Sequence, residues 1–170
     1  MIRIAPLSAA DPAGIEALLD AAFGADRHGR TAYRLRAGER PIAPLSFCAL
    51  AGDRLAGTIQ CWPLALEAAG ARVPLVLVGP VAVDPAMQGE GIGRRLMETM
   101  LAAADGGAGG PGADALVLIG DPEYYGRFFG FAAAATGGWT LPGPFERHRL
   151  LARLAPGRSL PAKGALAPRG

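Results

Sequence analysis

The chain has 170 residues, 51% of them apolar and 19% charged, which suits one domain with a core of ordinary size. Its net charge is +2 and its arginines are scattered, with no run of about five or six basic residues, so neither a nucleic-acid surface nor an anionic-membrane surface is indicated. The first positions lack a basic segment followed by an apolar core, and the longest apolar run, residues 73–83, contains Pro74, Gly79 and Pro80 and falls well short of the ~20 residues of a spanning helix, so a cytoplasmic location is expected.

Ile2 to Ile4 is a short β-branched alternation and reads as a first strand. Asp11 offers an N-cap with Pro12 at the first helical position; Ile15, Leu18, Leu19, Ala22 and Phe23 form an apolar stripe that Gly24 closes, which predicts a helix over residues 12–23. Residues 25–44 are basic and irregular, with a second short helix at 31–36 presenting Tyr33 and Leu35 inward. This segment reads either as a solvated basic face or as a place for substrate variability.

Two strands, residues 46–51 and 54–65, are joined by Gly52-Asp53, a two-residue connection suited to a tight hairpin. Gln60 and Trp62 share one face of the second strand and are candidates to border a ligand, while Trp62-Pro63 predicts a kink or an edge. Cys48 and Cys61 lie in apolar surroundings without metal-ligand spacing and read as buried small hydrophobes; no metal site is expected.

Residues 76–94 pass from an apolar strand through Asp84-Pro85 to Gln88 and three glycines at alternate positions, Gly89, Gly91 and Gly93, followed by Arg94. Ile92, Leu96, Met100 and Ala104, with Met97 and Leu101 beside them, then mark one face of a helix ending near Ala104. Strand, glycine-rich turn and helix start together form an anion site in outline. A Gly-rich loop follows, and residues 115–119 read as a buried strand running parallel to 76–83.

Asp121 caps a short helix with Pro122 at its first position and Tyr124, Tyr125, Phe128 and Phe129 within it; Gly130 ends it and Phe131 enters a further strand, with a last strand at 148–154. The domain is expected to span residues 1–155, and the Pro-, Gly- and Ala-rich tail 156–170 to be loosely attached.

The glycine turn fits no P-loop, because Gly93 is followed by Arg94-Arg95 in place of Lys and a hydroxyl residue. It fits no dinucleotide fingerprint either, because the third glycine comes one position early and the turn follows a later strand. The order Gln88-x-x-Gly91-x-Gly93 resembles the acetyl-CoA signature of the GNAT superfamily of N-acetyltransferases. The preceding Gly79-Pro80-Val81-Ala82-Val83-Asp84-Pro85 and the later Gly120-Asp121-Pro122-Glu123-Tyr124-Tyr125-Gly126-Arg127-Phe128-Phe129-Gly130-Phe131 are similar to a bacterial branch of predicted N-acetyltransferases. One departure stands out: the branch usually carries a tyrosine four before the glycine, whereas Tyr125 stands five before Gly130.

The resemblance implies a GNAT-like α/β domain: a mixed, mostly antiparallel sheet of about six or seven strands flanked by helices, with a splayed parallel pair at the acetyl-CoA site. It implies transfer of acetyl from acetyl-CoA, as cosubstrate, to a primary amine of a small molecule or protein by direct attack, by a monomer or homodimer. Val81, Ala82 and Val83 are the candidate pantetheine strand, with an oxyanion donor among the N–H groups of Val81 and Ala82, and Gln88, Gly89, Glu90, Gly91, Ile92, Gly93 and Arg94 are the candidate pyrophosphate turn. Arg95 is a second candidate for charge at the rim. Tyr125 is the candidate general acid and Tyr124 its alternate. No acidic residue interrupts 73–83, so no strand carboxylate is available as base and proton removal is expected to run through water. From a different class, a GNAT-like module that binds acyl-CoA without transfer, as a sensor or partner-binding protein, fits the same residues.

Overall fold

The computed structural model describes residues 1–170. Eight strands and four α-helices follow one another along the chain: β1 (Ile2–Pro6), α1 (Pro12–Phe23), α2 (Thr31–Leu35), β2 (Phe47–Ala51), β3 (Arg54–Ala68), β4 (Ala71–Val83), α3 (Ile92–Asp105), β5 (Ala115–Ile119), α4 (Pro122–Phe129), β6 (Gly138–Thr140), β7 (Leu150–Leu154) and β8 (Lys163–Pro168). The strands form one mixed sheet in the order β1-β2-β3-β4-β5-β7, with β8 beside β3 and β6. This is the α/β architecture expected, and β6 and β8 bring the strand number to eight. No helix is long and apolar enough to cross a membrane.

Two compact units make up the chain, and β3 and β4 each run through both. The first comprises Met1–His28, Pro41–Cys61 and Gly79–Gly109. Here β1 pairs antiparallel with β2 from Ile2↔Ala51 to Pro6↔Phe47. The Gly52-Asp53 turn then returns the chain as β3, with Ala51 opposite Arg54 and Ala56 as an extra residue at a bulge. On α1, Ile15, Leu18 and Leu19 pack with Ala82 of β4, and Gly24 at φ 94° ends the helix.

The amphipathic α3 buries Ile92, Leu96, Met97, Met100, Leu101 and Ala104, each large side chain contributing about 1.5–3 kcal/mol on transfer from water. Its seat depends on Gly57: a Cβ there would lie 2.9 Å from the Ala82 carbonyl oxygen and 3.0 Å from Ile92 Cγ2. Arg27 departs from a solvated basic face. It is 1% exposed, with Nε on Asp20 Oδ1 at 3.0 Å and Nη2 on Glu16, so it closes the end of α1 as a paired, buried charge.

The second unit comprises Gly29–Arg40, Trp62–Val78 and Gly110–Gly170. β4 and β5 are parallel, but their ladder covers only Val76↔Leu116 and Leu77↔Val117, while β5 pairs with β7 along its whole length. Phe131 enters no further strand; Ala132 makes a single bridge to Ala152. Trp62-Pro63 lies where β3 changes partners, since β2 covers it through Ile59 and β8 from Leu64. In the gap, the Cys61 carbonyl accepts from the Ile42 N–H and its N–H reaches Ser46 Oγ. The expected break is therefore a local edge inside a continuous strand, at the residue that lacks an N–H.

The C-terminal segment is not loosely attached. β8 pairs antiparallel with β3 from Leu64↔Pro168 to Glu67↔Ala165 and parallel with β6. Leu166 and Trp139 join the core formed by Leu64, Leu66, Leu75 and Leu150, and the Trp139 indole donates to the Pro161 carbonyl at 2.9 Å. Arg169 locks the end: its N–H meets Glu39, its Nε the Leu64 carbonyl and its Nη2 the Leu75 carbonyl. Proline, glycine and alanine suggested disorder because composition does not reveal that a waiting strand edge supplies the backbone partners. Leu166→Ala is expected to cost about 2–5 kcal/mol in urea denaturation, and deletion of residues 156–170 more; an unchanged midpoint after the deletion would contradict this attachment.

Candidate active site

In the first unit, the site is built on one continuous piece of chain. The Asp84 N–H donates to the Ala56 carbonyl of β3 at 2.8 Å. With a strand period of two, Ala82 shares that direction, while Val81 and Val83 turn their N–H and C=O groups toward the opposite edge. The β4–β5 ladder has ended at Leu77, so this edge is where an extended amide chain can add as a strand does. Gly79, at φ 125°, sits just past the ladder's end in a conformation that side-chain-bearing residues rarely adopt.

Asp84 fixes the exit from the strand. Its Oδ1 accepts from the Ala86 N–H at 2.9 Å and its Oδ2 from Arg54 Nε at 3.1 Å. The Ala86 N–H, followed by Arg54, holds the Asp84 carboxyl below its ordinary value. Gln88 is tied into the same turn, its side-chain amide donating to the Val83 carbonyl at 3.2 Å. That bond shapes the turn and occupies one acceptor of the strand edge, leaving the Val81 groups as the edge's remaining pair in this conformation.

Gly89, Glu90 and Gly91 are exposed. Gly91 is the N-cap of α3 in a left-handed conformation, φ 75°, with no side chain to cap the helix. The first intrahelical donor is the Arg95 N–H, which reaches the Gly91 carbonyl. The N–H groups of Ile92, Gly93 and Arg94 precede it at the positive end of the helix dipole, where N–H groups have no partner within the helix. A Cβ at Gly93 would lie at ordinary contact distance, 3.6 Å from Val83 Cγ2 and 3.9 Å from Val81 Cγ1. Arg94 is exposed and pairs with Glu98 at 3.7 Å. Arg95 instead donates to the Ile2 carbonyl at 3.0 Å and holds β1. A diphosphate and a diamide chain in series match this sequence of helix end and strand edge.

Tyr124 and Tyr125 belong to the second unit, on α4. Asp121 serves as the helix cap, its Oδ1 accepting from the Glu123 N–H at 3.0 Å, and Gly130 ends the helix at φ 75°. The Tyr125 ring lies on Gly120, where a Cβ would come within 2.5 Å of its Cε2. Tyr124 meets it edge-on at 5.0 Å between centroids, and Phe131 at 6.3 Å. Burial pushes the Tyr125 phenol above its ordinary value, with Tyr124 adding to the rise and Arg149 opposing it. At neutral pH this phenol is a proton donor. Trp62 carries the Arg36 guanidinium 4.2 Å above its ring, and Arg36 also stands 3.8 Å from the Tyr33 centroid.

Arg54, which holds Asp84, carried no motif of its own, and the seat that Gly120 gives the Tyr125 ring was not visible in the motif that contains it. Their roles depend on partners 30 residues away in the first case and on the direction of one ring in the second. Cys48 and Cys61 are buried and unlinked, and burial raises both thiols, which suits packing and not nucleophilic chemistry. No group of three or more His, Cys, Asp or Glu side chains is placed to hold a metal ion.

The sequence model described as "Acetyltransferase (GNAT) domain" matches residues 3–132. A GNAT family acetyltransferase of Brucella melitensis, solved in complex with acetyl-CoA, is similar in structure at a TM-score of 0.66 and 29% identity, over 98% of this chain and 95% of that one. The GNAT family N-acetyltransferase YhbS of Escherichia coli, solved with CoA, gives 0.68 and 25% identity over 98% and 88%. No curated protein matches the chain. With three quarters of its length inside the family's domain and the strand edge, uncapped helix and glycine turn in place, the chain belongs to the GNAT acetyltransferase family.

Proposed function

We propose that the protein transfers an acetyl group from acetyl-CoA to a primary amine of a small-molecule or protein acceptor by direct attack. The observation that carries this reading is the succession of an unladdered strand edge after Leu77 and an uncapped helix start at Gly91. The complexes of the Brucella protein with acetyl-CoA and of the Escherichia coli protein with CoA support it. The net charge of +2 and the scattered arginines argue for neither a nucleic-acid partner nor a membrane, and we place the protein in the cytoplasm as a monomer or homodimer.

On this reading Val81 pairs with the pantetheine amides, with Ala82 and Val83 continuing the strand, while Gly89, Glu90, Gly91, Ile92, Gly93 and Arg94 surround the pyrophosphate and Gln88 holds their turn. The cosubstrate supplies an activated acetyl thioester. The backbone N–H of Val81, the one of the two candidates that turns to the open edge, stabilises the oxyanion as the amine nitrogen bonds to the carbonyl carbon. The carbon–sulfur bond then breaks, the thiolate takes the Tyr125 proton, and the ammonium proton leaves to water. Tyr124 is the alternate donor. The elevated Tyr125 phenol suits a group that must arrive protonated.

Purified protein is expected to bind CoA and, with acetyl-CoA and a broad amine panel, to release free thiol. Binding without release across the panel would leave only the non-transferring acyl-CoA module. Gly91→Asp puts a side chain at φ 75° and a carboxylate at the helix start, so CoA affinity should fall at least about tenfold by calorimetry; wild-type affinity would remove the pyrophosphate assignment. Tyr125→Phe should lower kcat by about 10²–10⁴ and abolish the alkaline limb of the wild-type pH profile. That limb should lie above the ordinary phenol value of 10.0, because the folded phenol holds its proton longer. An unchanged kcat across pH would exclude Tyr125 as the acid.

A further inference from the structure

Gln60 is 7% exposed, and its carboxamide oxygen Oε1 is buried with no hydrogen-bond partner. A side-chain oxygen withdrawn from water with no donor costs free energy unless something brings one. The protein has a donor close by and does not use it. Thr58, two residues earlier on the same face of β3 and fully buried, has a hydroxyl that is also unpartnered, so the two groups do not satisfy each other. Both lie on the strand that neighbours β4.

The Asp84-to-Ala56 hydrogen bond sets the level of Gln60 along that neighbour. β3 and β4 are joined by only Ala69-Gly70 and so run antiparallel. Moving along β3 from Ala56 to Gln60, and back along β4 from Asp84 by as many residues, reaches Gly79-Pro80. That is the point just past the end of the β4–β5 ladder, immediately before the Val81–Val83 edge. The unmet acceptor is therefore carried one strand away from the start of the cosubstrate strand site and level with it, whereas the pyrophosphate turn lies beyond the far end of that site.

We propose that Gln60 recognises the acceptor substrate, its Oε1 accepting an N–H of the incoming primary amine and leaving the nitrogen lone pair available for attack. This inference rests on the acetyltransferase reading and names within it the residue that selects a donor-bearing amine. The contact needs no charge on the protein, which fits a strand without a carboxylate.

Gln60→Leu and the closer-volume Gln60→Met test it, using thiol release with spermidine, lysine and glycinamide as probes beside CoA calorimetry and thermal unfolding. Both variants should raise the KM of every amine that the wild-type protein acetylates by about 5- to 100-fold. CoA affinity should hold within about twofold, and Tm should stay level or rise because an unmet buried oxygen has been removed. An unchanged amine KM in both variants would overturn the inference, and with a lowered Tm it would assign the oxygen to an internal water or a structural role. A rise in the KM of acetyl-CoA as large as that of the amine would overturn it as well. If the wild-type protein releases no thiol with any amine, the acetyltransferase reading falls and takes this inference with it; wild-type turnover that ignores Gln60 removes only the inference.

Discussion

Backbone hydrogen bonding along β4 changes character after Leu77. At Val76 and Leu77 the strand is laddered to β5; beyond them the chain continues as strand through Val83 while the ladder does not. Unpaired backbone groups are a liability that proteins cover or put to use. Here Gly79 turns the chain at the discontinuity, Asp84 and Arg54 hold the exit, and Gly91 starts α3 without a cap. An open strand edge and an open helix end thus follow one another within a few residues, and their combination suits a ligand that carries amides at one end and phosphates at the other.

Three arginines act as fasteners. Arg27 is buried on two carboxylates, Arg169 closes onto two strand carbonyls, and Arg36 stacks on Tyr33 and Trp62. The planar guanidinium makes this possible, since it offers several donors in its plane and a weakly hydrated face for an aromatic ring. Fewer positive side chains are therefore left for a binding surface than the arginine count suggests, because a share of them holds the chain end and a helix terminus.

The strand–turn–helix was legible because its signals are local. The apolar spacing of Ile92, Leu96, Met100 and Ala104 specifies a helix face wherever it occurs, and glycines at 89 and 91 are required by the turn's own positive φ values. Asp121 and Pro122 likewise marked the start of α4 correctly. The C-terminal strand was not legible. Residues 163–168 have weak strand character, and they pair because the second half of β3 and the short β6 leave edges for them. Phe131 erred in the other direction, as an apolar residue whose neighbour finds a single bridge partner and no ladder.

Sequence by itself determined the family signature, the order of the principal strands and helices, and the glycine-rich turn that starts α3, because each depends on residues within a few positions of one another. Only the tertiary structure decided that Gln88 folds back on Val83, that Gly57 gives α3 its seat, that Gly120 receives the Tyr125 ring, and that Gln60 is buried with its oxygen unmet. Those are facts about distance between remote parts of the chain and about the removal of water. The strand, turn and helix start of residues 76–94 could be read from sequence because backbone geometry is local, whereas the partners that shape and complete a site are brought in by packing.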